Sequence, residues 1–149
     1  MTEEFSAGGI VFRKGLDSGE NQNDVFILVS QHSGHHGWVF PKGHVADTIP
    51  NETEQEAAVR EVQEETGITG TILEPLSLVD YWYVFRGEKR HKTVQYFLMA
   101  YESGNTEDHG WEMENVVWLL ISEVEKKLTY KSDKKVWEEA KKKLLQKIK

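Results

Sequence analysis

Cysteine is absent from the 149 residues. Disulfides, thiolate metal centres and cysteine nucleophiles are therefore excluded. Proline numbers only three, and no linker, internal repeat or low-complexity tract interrupts the chain. No apolar run approaches the ~18 residues of a membrane-spanning helix. The opening MTEEFSAGG has neither the basic stretch nor the apolar stretch of a secretory leader. These absences lead us to expect a soluble, cytoplasmic protein that does not enter membranes. Positive charge is also in deficit: 18 Lys and Arg stand against 25 Asp and Glu, a formal net charge of -7. That balance argues against broad adhesion to DNA, RNA or anionic membrane, which needs a net basic face. It leaves anionic substrates open, because carboxylates grip phosphate through divalent cations.

What is present is enough for a core. The chain is 38% hydrophobic and 11% aromatic, with five tryptophans, and its length suits one ordinary domain over residues 1–149. A monomer or weak dimer is expected. The charge is unevenly spread. Residues 126–149 hold ten lysines and three acids, a local +7 that leaves -14 on residues 1–125. This basic segment carries Val136, Trp137, Ala140, Leu144, Leu145 and Ile148 at near-helical spacing, predicting an amphipathic helix at about 132–148 capped by Ser132 or Asp133. It could instead be a nucleic-acid or membrane-surface helix. The apolar stripe, which needs a partner surface, favours docking on the body.

Upstream, Ser6–Arg13, with Gly8-Gly9 marking a close backbone approach, and Val25–Gln31 read as strands. So do 69–79, 80–86 and 92–101, the last two joined by a hairpin across Arg86–Lys89, while Asn115–Ile121 reads as a strand or buried segment. A helix is expected from about Glu52 to Thr66, with Thr53 and Glu56 as a capping box and Gly67 at its end. The pattern is that of an α+β or α/β domain.

That helix holds the most informative residues. Glu61, Glu64 and Glu65 stand at i, i+3 and i+4, so their carboxylates share one face. Three clustered anions repel unless a proton or a cation intervenes. Hard divalent cations accept carboxylate oxygens, which suits Mg²⁺ or Mn²⁺. The plainer alternative is a solvated acidic face stitched by Glu56–Arg60 and Arg60–Glu64 pairs. A helix bearing those acids and held between strands is better fixed than a surface decoration. His32, His35 and His36 invite a zinc reading, but their glycine-rich loop supplies no helical scaffold and no second ligand group.

The stretch Gly43–Ile68 resembles the Nudix box, G-x5-E-x7-R-E-U-x-E-E-x-G-U with U aliphatic. Glu52 takes the first glutamate position, seven residues precede Arg60, and Arg60-Glu61-Val62-Gln63-Glu64-Glu65-Thr66-Gly67-Ile68 fits the rest without a mismatch. One departure stands out: eight residues, HVADTIPN, separate Gly43 from Glu52 where the family has five. The resemblance implies an α/β/α sandwich with a mixed sheet and hydrolysis of pyrophosphate bonds in nucleotides. It also implies metal ligation by Glu61, Glu64 and Glu65 with the residue matching Gly43. Catalytic work would fall to the same glutamates, with Arg60 orienting them and Glu52 anchoring the helix.

Outside the box, Trp38-Val39-Phe40-Pro41-Lys42-Gly43-His44 is similar to the W-x-x-P-K-G-H lead-in of dinucleoside polyphosphate hydrolases. The likeness continues through Asp80–Tyr83, Arg90–Thr93 and Glu112–Trp118. It implies a substrate such as diadenosine tetraphosphate. Lys42, His91 and Lys92 are then candidates for phosphate, Tyr81 and Tyr83 for a base, and Glu112 for a further metal position. The alternatives are a MutT-type nucleoside triphosphate pyrophosphohydrolase, a non-catalytic nucleotide sensor, and an enzyme removing pyrophosphate from RNA 5′ ends.

Overall fold

The structure is a computed structural model that describes residues 2–15, 18–46 and 49–148. Its strands are β1 (Thr2–Lys14), β2 (Val25–His32), β3 (Trp38–Val39), β4 (Lys42–His44), β5 (Ile68–Pro75), β6 (Val79–Phe85), β7 (Glu88–Gly104) and β8 (Met113–Leu120). The helices are α1 (Glu54–Thr66), α2 (Val124–Lys127) and α3 (Lys131–Lys147).

The two long strands organise the sheet. β1 and β7 run parallel in continuous register from Thr2↔Arg90 to Phe12↔Ala100. Each changes outer partner along its length. β1 pairs with β4 at Ser6–Gly8 and with β2 at Phe12–Lys14. β7 pairs with β6 through residue 94 and with β5 from residue 97. The chain can cross where β1 changes partner because Gly8 has no side chain. A Cβ there would lie 2.2 Å from the Pro41 carbonyl oxygen. The β6–β7 turn has Arg86 and Gly87 both at positive φ, the geometry of a two-residue hairpin. The expected strand 69–79 ends at Pro75, and Leu76 donates its N–H to the Tyr96 carbonyl before β6 begins.

Alternation along β1, β2 and β7 feeds two cores. Ala7, Val11, Leu28, Phe97 and Met99 pack on one face with Ala57, Ala58 and Val62 of α1. Ile10, Ile27, Val29, Tyr96 and Leu98 pack on the other with Val136, Trp137, Ala140 and Leu144 of α3. A mixed sheet between α1 and α3 is the expected α/β/α sandwich. Helix α1 starts two residues later than expected, at Glu54, and has its full capping box: Thr53 accepts from the Glu56 N–H and Glu56 from the Thr53 N–H, both at 3.1 Å. Such a cap is worth about 1 kcal/mol.

The capping expectation for α3 is overturned. Its N-cap is Tyr130, which makes no side-chain cap bond. Asp133 lies inside the helix and turns inward, where its Oδ1 accepts from the Phe40 N–H at 3.5 Å and the Tyr96 hydroxyl at 3.4 Å. Buried donors on β7 and on the link between β3 and β4 outcompete the helix's own solvated N–H groups.

Candidate active site

Arg60 holds the acidic edge of α1 in place. Its guanidinium donates to both oxygens of Glu52 at 2.6 and 2.9 Å, and to the His44 carbonyl at 3.2 Å. The remaining nitrogen donates to Glu61 at 2.7 Å and to Glu64 at 3.2 Å. The Glu52 side chain is 2% exposed and its carboxyl is held below the usual range, chiefly by the Arg60 hydrogen bonds. Glu52 also accepts from the Ala46 N–H at 3.2 Å, so the loop carrying the insertion closes back onto the same carboxylate. Asp47 and Thr48 of that loop lie outside the described residues.

Glu61, Glu64, Glu65 and Glu112 line one cavity of about 570 Å³ together with Lys42, Gly43, Tyr81 and Lys92. Gly43 sits so close to α1 that a Cβ on it would lie 2.0 Å from the Glu61 carboxyl carbon. The three-residue insertion has therefore left Gly43 beside the carboxylates. Burial pushes Glu61 upward despite Arg60. Glu65 is pushed up to about 8, first by burial, and then by Glu61 and Glu112 against the opposing pull of Lys42. Its Oε1 accepts from the Lys42 N–H at 3.3 Å.

As placed, no three His, Asp or Glu side chains among the described residues are gathered into a metal cage. An Arg60 nitrogen instead lies between the Glu61 and Glu64 oxygens. The donor set nevertheless fits a hard divalent cation: four carboxylates face one cavity, and one of them, Glu65, is pushed up to about 8 first by burial and then by its acidic neighbours. A cation would displace the Glu65 proton and relieve the repulsion.

This acidic cavity shares His35, Val39, Lys42 and Tyr81 with a second cavity of about 520 Å³, which is lined mainly by Tyr81, Tyr83, Tyr96, Tyr130, Val79 and Val94. Strand alternation turns Tyr81 and Tyr83 inward and leaves Trp82 on the opposite face. Tyr83 donates to Glu4, and burial raises the Tyr81 hydroxyl to about 12. Burial and nearby Lys42 lower Lys92.

His91 departs from the expectation. One residue out of phase with Lys92, it stacks on Trp82 at 4.5 Å and pairs with Glu3 and Asp80, each at 2.9 Å. It lines neither cavity. The loop histidines brace their own loop: His32 and His35, which also line the acidic cavity, accept from the Gly34 and Gly37 N–H groups, and His36 pairs with Glu114 at 2.6 Å.

Sequence reading missed Asp133 as a cavity residue. The signal was available, because Asp133 falls in register with the buried stripe of Val136, Trp137, Ala140 and Leu144. An acid in an apolar stripe needs an internal partner.

The profile of the NUDIX domain matches residues 6–140. This chain belongs to the Nudix family. A Mycobacterium tuberculosis relative named MutT4 is 38% identical over 139 residues, which are 92% of this chain but 54% of the relative. The Nudix chain is also 34% identical to the asymmetrical bis(5′-nucleosyl)-tetraphosphatase of Rattus norvegicus over 120 residues, 79% of this chain and 80% of that one. Among solved structures it resembles a binary complex of C. elegans Ap4A hydrolase, with a TM-score of 0.73 and 27% identity over 96% of this chain and 98% of that one. It is a Nudix hydrolase, acting on phosphoanhydride bonds of nucleotide substrates.

Proposed function

We propose that this Nudix hydrolase cleaves dinucleoside polyphosphates, with diadenosine tetraphosphate as the model substrate and Mg²⁺, or Mn²⁺ in its place, as cofactor. The observation that carries the reading is the shared wall of the two cavities. A base held beside Tyr81 and Tyr83 leads its phosphates past Lys42 and into the carboxylate cavity. The tetraphosphatase and Ap4A hydrolase relatives support the choice. The MutT-type alternative, release of pyrophosphate from nucleoside triphosphates, draws on the MutT4 relative.

Glu61, Glu64, Glu65 and Glu112 would hold the cation, with Gly43 beside them. Bound there, Mg²⁺ neutralises phosphate charge and lowers the pKa of water. Arg60, fixed by Glu52, sets the rotamers of Glu61 and Glu64. One α1 carboxylate accepts the proton of the attacking water. The hydroxyl joins one phosphorus as the anhydride P–O bond breaks, and the leaving phosphate takes up a proton. Lys42 and Lys92 hold the phosphate oxygens, Lys42 as a point charge between base and metal.

Product chromatography tests the proposal. With Mg²⁺, diadenosine tetraphosphate yields AMP and ATP in equal amounts. Pyrophosphate release from a nucleoside triphosphate, with the dinucleotide left intact, would overturn it in favour of the MutT-type reading.

A further inference from the structure

Trp111 is the most exposed large apolar side chain among the described residues, at 87%. Its four counterparts are all engaged. Trp38 lies under Lys127, Trp82 stacks on His91, Trp118 packs edge-on against Tyr101, and Trp137 is buried beside Phe40. Trp111 has no such ring or cation partner among the described residues. An indole left in water forfeits a large burial gain.

Its backbone, by contrast, is held. The Gly110 N–H donates to the Glu65 carbonyl at 3.1 Å, and the Met113 N–H to Gly110 at 3.2 Å. Ser33 donates its N–H and hydroxyl to the Glu112 carbonyl at 2.9 and 2.8 Å. A Cβ on Gly110 would lie 2.7 Å from the Glu64 carbonyl oxygen, so this turn is built to approach the end of α1. The result is a fixed mount with a free indole.

The mount stands beside the carboxylates. Trp111 lines an open cavity of about 290 Å³ with Glu61, Glu64, Glu65, Gly110 and Glu112. The four glutamates also line the acidic cavity, which on its other side shares Tyr81 and Lys42 with the tyrosine-lined cavity. The tyrosine cavity and the Trp111 cavity have no lining residue in common. Along the surface the order is therefore aromatic, acidic, aromatic. Glutamates on the floor of the Trp111 cavity also disfavour an apolar protein partner, whose contact would need an apolar surround.

From this order we propose that Trp111 is the platform for the second nucleoside of a two-headed substrate, stacking on the base that lies beyond the carboxylates from Tyr81 and Tyr83. The inference rests on the dinucleoside polyphosphate reading and extends it: one base is enclosed and the other lies against a single exposed ring. Stacking on one aromatic side is tolerant of base identity. The second base would accordingly be selected less strictly than the first.

The test compares diadenosine tetraphosphate with adenosine 5′-tetraphosphate, which has the same phosphates and one base, on the Mg²⁺-loaded enzyme. Trp111→Ala raises the KM for the dinucleotide relative to the single-base substrate by about 5- to 100-fold, the range a lost base stack gives. Trp111→Phe recovers most of it. Dinucleotide added with Ca²⁺ in place of Mg²⁺ quenches indole fluorescence in the wild type, and Trp111→Phe abolishes that quench. Equal changes in KM for both substrates, or a quench that survives in Trp111→Phe, would overturn the assignment. A wild-type enzyme that leaves the dinucleotide uncut would instead overturn the substrate reading beneath it.

Discussion

Helix α1 places Glu54, Glu56, Glu61, Glu64 and Glu65 within thirteen residues, and helix α3 places seven lysines within seventeen. Both are amphipathic, both crowd one sign of charge, and they flank opposite faces of one sheet. The lysines of α3 stay near water. Lys143 and Lys147 reach Glu74 at 3.0 and 2.7 Å, tying the helix to the edge of β5, while its stripe fills the core. In α1, Glu61 and Glu65 are turned into a cavity, where their ionisation is opposed first by burial and then by neighbouring glutamates. Charge density is similar in the two helices and chemical potential is not. What separates them is desolvation, because a carboxylate denied water has an unmet need that a cation can fill.

Substitutions sharpen this contrast. The largest effect is expected at Glu65→Gln, which should lower Mg²⁺-dependent turnover by about 10²–10⁴-fold. The same change fixes the side chain in the neutral form that burial favours, so the thermal midpoint should hold or rise. A variant that kept full turnover would place α1 with α3 as a merely structural charged helix.

Next comes Arg60→Ala, which strands the buried Glu52 carboxylate and should cost about 3–5 kcal/mol in urea unfolding. Arg60→Lys should recover only part, since an ammonium cannot reproduce the two-pronged contact with Glu52.

A smaller effect follows from pH. The folded-state pKa of Glu52 is depressed, so its contribution is complete above the ordinary value of 4.5 and is lost as pH falls through the depressed one. Urea midpoints measured from pH ~6 down to ~3 should fall along this limb, and Glu52→Gln should flatten it. Smallest of all is Lys143→Glu on α3. It breaks half-buried pairs with Glu74 and Glu139 and sets a carboxylate beside them, so it should leave turnover unchanged and lower the midpoint only slightly.

Local signals in the sequence were strong where one segment carried the whole instruction. The capping box of Thr53 and Glu56, the glycine that ends α1 and the shared face of Glu61, Glu64 and Glu65 all lie within fifteen residues, and the structure has them as expected. Residues whose roles depend on distant partners were less legible. Asp133 looked like a helix cap because its partners, Phe40 and Tyr96, lie far away in the sequence. His91 looked like a phosphate contact because β7 brings it next to Lys92, yet the pleat sends adjacent side chains to opposite faces. The parallel pairing of β1 with β7 joins residues nearly ninety apart and leaves no local mark in either strand.

Mn²⁺ binding, followed by the paramagnetic resonance signal of the free ion, tests the contrast between the helices most directly. The wild type and a Lys143→Glu, Lys147→Glu double variant should bind the ion alike, and Glu65→Gln should bind at least about tenfold more weakly. Equal binding by Glu65→Gln and the wild type, or no binding by the wild type, would contradict the assignment of the α1 carboxylates as the cation site.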